Sequence, residues 1–296
     1  MRHRIVNGTM AASPASLGTV LGQEPPPASV PVRTARWSSG GASDAGRDVP
    51  EETAIAFSYN RTAHAVMMGT PADLRDFATG FSLTEGLVGS LSDIEELGIV
   101  AVPDGIELRM WVASGCMDRL HARRRSAAGP TGCGMCGLES LAQAVRPPPP
   151  VRSNLRVSAA DVLAAVVALE PAQTLNQITR AVHAAAFVRP GQGLTLLRED
   201  VGRHNALDKL AGALALSGED AGAGMVVMTS RVSVELVQKA ARIGAPILVA
   251  VSAPTALALR VAEQAGITIV GVARRDGFEV FTHQSRIVDA LDLTTK

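Results

Sequence analysis

Between residues 225 and 272 short apolar runs alternate with stretches of helical spacing. Met225 to Met228, Ile247 to Val251 and Ile267 to Val272 have the length and composition of strands. Val232 to Ile243 and Thr255 to Ala265 lie between them and read as helices. Strands alternating with helices predict parallel βαβ units. In such sheets the ligand crevice lies at the carboxyl ends of the strands. Ahead of this series, Ser158 caps a helix reaching about Leu169. Ala181 to Val188 and Leu194 to Arg198 flank the turn residues Arg189-Pro190-Gly191 and predict paired strands. A helix from about Asn205 to Leu216 follows.

The N-terminal half has a different rhythm. Thr53 to Tyr59 and Ala63 to Met68 are β-prone runs around Asn60-Arg61, a hairpin signal. Thr70-Pro71-Ala72-Asp73 predicts a helix start, with Thr70 as N-cap and Pro71 at the first helical position. That helix is expected to reach about Glu85, before Gly86. Ile99 to Val102, the turn Pro103-Asp104-Gly105, and Ile106 to Val112 predict a second hairpin. Residues 1–30 are rich in Pro, Gly, Ser and Ala and are expected to form a disordered tail. Ser38 to Gly46 reads as a loop. Four prolines, Pro147 to Pro150, favour an extended spacer and end any preceding helix. The expected domains are therefore the tail (1–30), an α+β domain (31–150) and an α/β domain (151–296).

Composition narrows the function. Hydrophobic residues make up 47% of the 296, ample for a core. Lys+Arg and Asp+Glu are 28 each, a balance that argues against a general nucleic-acid binder. Aromatics are 3%, too few for a base-stacking platform. Three cysteines make no disulfide framework, and no run of about 18 apolar residues exists to span a membrane. A reducing, cytoplasmic setting without a signal peptide is expected.

The sharpest chemical feature is Gly132-Cys133-Gly134-Met135-Cys136-Gly137. Two thiols three positions apart can share one site, and the glycines let the backbone bend and admit a large partner. Leu138 to Val145 reads as a short helix, which places Cys136 near a helix N-terminus, where thiolate is favoured. Arg119 and Arg123 to Arg125 strengthen that effect if they fold back. The same pair also reads as half of a tetrahedral zinc site completed by Cys116 and His121, although this spacing is not a common finger pattern. Intracellular Cys-x-x-Cys logic favours thiol chemistry. Alone, Cys116 reads as a small buried hydrophobe.

Arg198 to Lys209 (REDVGRHNALDK) packs seven ionisable residues into a strand-to-helix junction, where side chains converge from a rigid scaffold. His204 and Asp208 stand at i,i+4, so the carboxylate is placed to orient and charge the imidazole. The plainer reading is a solvated loop with Asn205 as N-cap. Three strand ends in succession carry anion-friendly groups: Thr229-Ser230-Arg231, Ser252 to Thr255, and Arg274-Arg275-Asp276-Gly277. Together they point to a phosphate-bearing ligand. Neither a Walker A nor a G-x-G-x-x-G run is present, so an ordinary ATP or NAD site is not supported. His183 lies in an apolar strand and reads as a structural histidine. The zinc-deaminase pattern is absent around it, which excludes a working deaminase. His64 and His283 carry no role from spacing alone.

These stretches, together with His64 to Leu74, Glu235 to Lys239 and Thr282-His283, resemble the FdhD/NarQ family of sulfur carriers required for formate dehydrogenase activity. The resemblance covers roughly Pro50 to His283. It implies an α/β fold, with a cytidine-deaminase-like C-terminal domain beside a smaller α+β N-terminal domain, usually as a homodimer. It also implies that a cysteine desulfurase loads sulfur as a persulfide on Cys133, with Cys136 as partner. The sulfur then passes to a transiently bound bis-molybdopterin guanine dinucleotide molybdenum cofactor before insertion into formate dehydrogenase. The family's cofactor-binding segment falls on Val272, Ala273, Arg274, Arg275, Asp276 and Gly277. Two diphosphates in that ligand suit Thr229, Ser230, Arg231, Arg203 and His204 as further contacts. Asp276 departs from the Gly-rich basic turn expected there. A cofactor-binding chaperone with zinc at Cys-x-x-Cys, and a dithiol oxidoreductase, are the alternatives to a sulfur carrier.

Overall fold

In the computed structural model, which describes residues 18–120 and 147–289, two large sheets organise the chain. The strands of the N-terminal half are β1 (Thr19–Leu21), β2 (Ser29–Ser38), β3 (Gly41–Pro50), β4 (Thr53–Tyr59), β5 (Thr62–Gly69), β6 (Ile94–Val102) and β7 (Gly105–Val112), with helix α1 (Leu74–Thr84) after β5. Five of them form one sheet in the order β1-β6-β7-β4-β5. Both expected hairpins are present, β4–β5 and β6–β7. Asn60 and Arg61 both take positive φ, 48° and 68°, the turn geometry whose twist matches the flanking strands. One face of this sheet buries Ile55, Phe57, Ile99, Leu108 and Met110 against Phe77 and Phe81 of α1.

The C-terminal half comprises β8 (Val157–Ser158), α2 (Ala159–Ala172), α3 (Thr174–Thr179), β9 (His183–Arg189), β10 (Gly193–Asp200), α4 (Arg203–Ser217), β11 (Met225–Met228), α5 (Val234–Arg242), β12 (Ile247–Ala250), α6 (Ala256–Ala265), β13 (Thr268–Gly271), β14 (Glu279–Val280) and β15 (Ile287–Val288). Its sheet runs β10-β9-β11-β12-β13-β14, with β11, β12 and β13 parallel as the alternation predicts. These three strands are buried along their whole length. That is why they read as unbroken apolar runs: helices cover both faces. Leu207, Leu210, Leu236 and Val261 of α4, α5 and α6 fill one side, and Val162, Ala165 and Leu169 of α2 fill the other. Ser158 and Asp161 complete a capping box at the start of α2. The chain is thus a mixed α/β fold with several sheets. Among the described residues no helix is long and apolar enough to cross a membrane.

Three local expectations fail. Thr19–Leu21, inside the expected tail, pairs in parallel with Gly98–Val100 of β6. Ser38 to Gly46, expected as a loop, holds the turn and most of the second strand of a ten-pair hairpin, β2–β3. Its Gly, Ser and Ala content hid a strand with no apolar alternation to betray it. The cap of α1 is Asp73, at φ 51°, and its side chain makes no capping bond. Thr70 is instead drawn into contacts with the second sheet.

Candidate functional site

Helices α1 and α4 lie between the two sheets and touch backbone to backbone. A Cβ built on Gly80 would overlap the Asp208 carbonyl, and one on Gly212 would overlap the Asp76 carbonyl. Only glycine at both positions permits this approach.

That close approach explains most of the charged run 198–209. Arg198 Nε donates to Asp76 Oδ2 at 2.6 Å. Glu199 accepts the free backbone N–H groups of Leu175 and Asn176, at 2.8 Å each, and so caps α3. Asp200 accepts from Thr70 N, Gly202 N and Asn205 Nδ2, and pairs with Lys209 at 2.7 Å. Lys209 also donates to the Thr70 carbonyl at 2.9 Å and lies 5.5 Å from the Phe77 ring centre. Asp208 pairs with Lys239 of α5 at 2.8 Å and accepts the Thr84 hydroxyl at 2.5 Å, and Lys239 reaches Glu85 as well. Burial opposes the Lys239 charge, but Asp208 and Glu85 outweigh it and hold the ammonium above the ordinary lysine range.

Two expectations about this run are corrected here. Asp208 does not orient His204, because Thr84 and Lys239 take its oxygens. Asn205 does not cap α4: the cap is Gly202, while Asn205 sits one turn in and donates to the Met68 carbonyl at 2.8 Å. Sequence reasoning missed Lys239 as the counter-ion. The signal was a lysine at a buried position of the amphipathic stretch Val232 to Ile243.

Arg203 and His204 alone in the helical part of the run face the carboxyl-end rim of the second sheet. His204 Nε2 lies 3.4 Å from Ser233 Oγ and 3.8 Å from Glu235 Oε2. The imidazole, and then the Ser233 hydroxyl, outweigh burial and hold the Glu235 carboxyl down at about 2. His183 begins β9, which runs antiparallel to β11, and so stands on the same rim, with Nδ1 3.5 Å from Thr229 Oγ1. Burial lowers its pKa, and the neighbouring Arg203 and His204 charges add to that.

The rim continues across the parallel strands as a backbone ladder. Val251 N donates to Met228 O at 3.0 Å, Val272 N to Ser252 O at 3.2 Å, and Thr255 N to Val232 O at 3.0 Å. The three strand-end motifs therefore stand side by side. Their side chains divide. Ser230 is buried and bonds to the Arg231 carbonyl, Thr229 accepts from Ala184 N, and Ala273 is buried in the core. Arg231, Val272, Arg274, Arg275 and Asp276 are exposed. Arg274 donates to the Val251 and Ala273 carbonyls, and its N–H closes a turn with Gly277 O at 2.8 Å. Arg275 pairs with Glu170 on the surface. Val272 has φ 52°, a left-handed conformation costly for a β-branched residue.

Cys133, Cys136 and His121 lie outside the described residues. Cys116 is buried, and its Sγ accepts from Arg119 Nη2 at 3.1 Å. Arg119 also reaches Asp93 at 3.3 Å and the Leu87 carbonyl, so it is engaged on the first sheet. Burial pushes the Cys116 thiol up. Among the described residues no group of three or more His, Cys, Asp or Glu is placed to hold a metal.

A two-sheet α/β protein with a polar rim at its strand ends has known counterparts. The FdhD/NarQ family model matches residues 50–288. The chain is 54% identical over 243 residues to the sulfur carrier protein FdhD of Agrobacterium fabrum, covering 82% of this chain and 90% of that one. It is 50% identical over 275 residues to the sulfur carrier protein FdhD of Cupriavidus necator, covering 93% and 96%. A crystal structure of a putative formate dehydrogenase accessory protein from Desulfotalea psychrophila superposes with a TM-score of 0.71 at 26% identity, covering 88% of this chain and all of that one. The chain belongs to the FdhD/NarQ family.

Proposed function

We propose that this protein is a sulfur carrier acting in the maturation of formate dehydrogenase. The observation that supports it most is the family match over 50–288, which spans both the Cys-x-x-Cys run and the strand-end rim. The Cys133 thiolate attacks the terminal sulfur of a desulfurase persulfide. A new S–S bond forms at Cys133, the donor S–S bond breaks, and the donor cysteine leaves as thiolate. Cys136 is the neighbouring thiol of the pair.

The substrate is the bis-molybdopterin guanine dinucleotide molybdenum cofactor, bound transiently at the rim. Exposed Arg231, half-buried Arg203 and the first turn of α4, which no side chain caps, suit its phosphates. Arg274 fits less directly, since its guanidinium already serves two carbonyls, and its turn offers backbone instead. The second sheet, an antiparallel hairpin followed by three parallel strands with helices on both faces, accords with a cytidine-deaminase-like description. The carrier works in the cytoplasm as a homodimer, with a cysteine desulfurase and formate dehydrogenase as its partners.

Intact native mass before and after incubation with a desulfurase and cysteine tests the carrier reading. The expected result is a sulfur gain removed by a reductant and lost in Cys133→Ala. A constant extra mass of zinc with no sulfur gain would overturn the carrier reading.

A further inference from the structure

We infer that the β2–β3 hairpin is a dimerisation arm whose outward face stacks on the same face of a second copy of this chain. The inference rests on the homodimer proposed above and assigns a surface to it. The two strands pair over ten positions and join neither large sheet. None of their residues is buried. Ten residues of strand span about 33 Å, and a lone two-stranded hairpin is marginal in water.

The inward face has support. Val30, Val32 and Val49 are half-buried, and Arg47 on that face donates to the Thr179 carbonyl of α3 at 2.8 Å. Among the described residues the outward face has almost none: Asp48 at its base is half-buried, and the other seven residues along it are exposed. Along it, from base to tip, Pro31 stands opposite Asp48, Arg33 opposite Gly46, Ala35 opposite Asp44, and Trp37 opposite Ala42. Trp37 is 78% exposed. One arginine and two aspartates give the face no single sign, so it suits neither a strongly acidic nor a strongly basic partner.

It does suit itself. Two such faces laid together about a two-fold axis, each strand over its mate and antiparallel, set base against tip. Trp37 of one copy then covers Pro31 of the other. Arg33 stands over Ala35 of the other copy, whose cross-strand neighbour is Asp44. The Arg33–Asp44 contact recurs on both sides of the axis, as an isologous interface requires. The face measures about 33 Å by 10 Å, roughly 300 Å² per copy, against about 800 Å² for a stable interface. The arms therefore reinforce a dimer made elsewhere.

The test uses full-length Arg33→Asp and Asp44→Arg, read by a dilution series in native mass spectrometry. Each variant alone places like charges at both contacts, and its dimer is expected to weaken at least tenfold. Mixing the two restores opposite charges at both contacts, so a heterodimer of wild-type strength is expected in excess over either homodimer. An intramolecular role for the two side chains gives no such recovery. Unchanged dimers with statistical mixing, or weak dimers that mixing leaves weak, would overturn the arm while the homodimer stands. A wild type that stays monomeric at every concentration would overturn both.

Discussion

Asp200 and Lys209 face each other at 2.7 Å with neither side chain exposed, in the seam where the first sheet meets the second. The pair does not stand alone, because Asp200 also holds Thr70 N, Gly202 N and Asn205, and Lys209 holds the Thr70 carbonyl. Removing one partner strands a buried charge, which costs about 3–5 kcal/mol. Lys209→Met is therefore expected to unfold at much lower urea, and Asp200→Asn to fall with it. A Lys209→Met variant within 1 kcal/mol of wild type, roughly one surface ion pair, would mean that the seam does not depend on this pair.

Gly80→Ala and Gly212→Ala each put a methyl group into the backbone of the opposite helix. No flexible side chain is available to yield, so the helices must separate. Each substitution is expected to destabilise by about 3 kcal/mol, the upper part of the range for overpacking. Gly115→Ala is the control, since among the described residues nothing lies within 4 Å of its Cβ position, and its melting temperature should match wild type.

The Glu235 carboxyl is depressed from 4.5 to about 2 by His204 and Ser233. A depressed carboxylate contributes stability that is fully present above the unfolded value and is lost as pH falls towards the folded one. The contribution of this contact should thus disappear between pH 4.5 and about 2. Urea midpoints measured across that window should fall more steeply for wild type than for Glu235→Gln. Parallel slopes would show that Glu235 does not titrate as the rim geometry requires.

Val272 holds a left-handed conformation on the rim. Glycine tolerates that conformation, so Val272→Gly is expected to raise stability by about 1 kcal/mol, the released strain less the added freedom of the unfolded chain. Thermal melting reads the gain directly. A loss of stability would mean that the valine side chain contributes packing that outweighs the strain.

The rhythm of the second sheet was legible because burial dictates composition. Strands covered on both faces must be apolar throughout, and Met225–Met228 stands in the structure with the bounds its sequence suggests. The hairpin at Asn60-Arg61 and the cap at Ser158 were legible for a similar reason, since local backbone chemistry decides them. The strand-end motifs were placed on one rim by the same alternation. The β2–β3 arm was not legible, because a strand with no core beneath it has no apolar period to show.

The role of the charged run escaped the sequence altogether. Its density suggested one site, and its i,i+4 spacing suggested that Asp208 serves His204. Distances along a helix cannot reveal that α1 lies against α4 and that Lys239 arrives from α5. Once those helices touch through Gly80 and Gly212, desolvation forces Asp200, Asp208, Lys209 and Lys239 to find partners across the seam. The sequence by itself determined most of the elements and the Cys-x-x-Cys motif. The tertiary structure decided which charges hold the two sheets together and left Arg203 and His204 facing the rim.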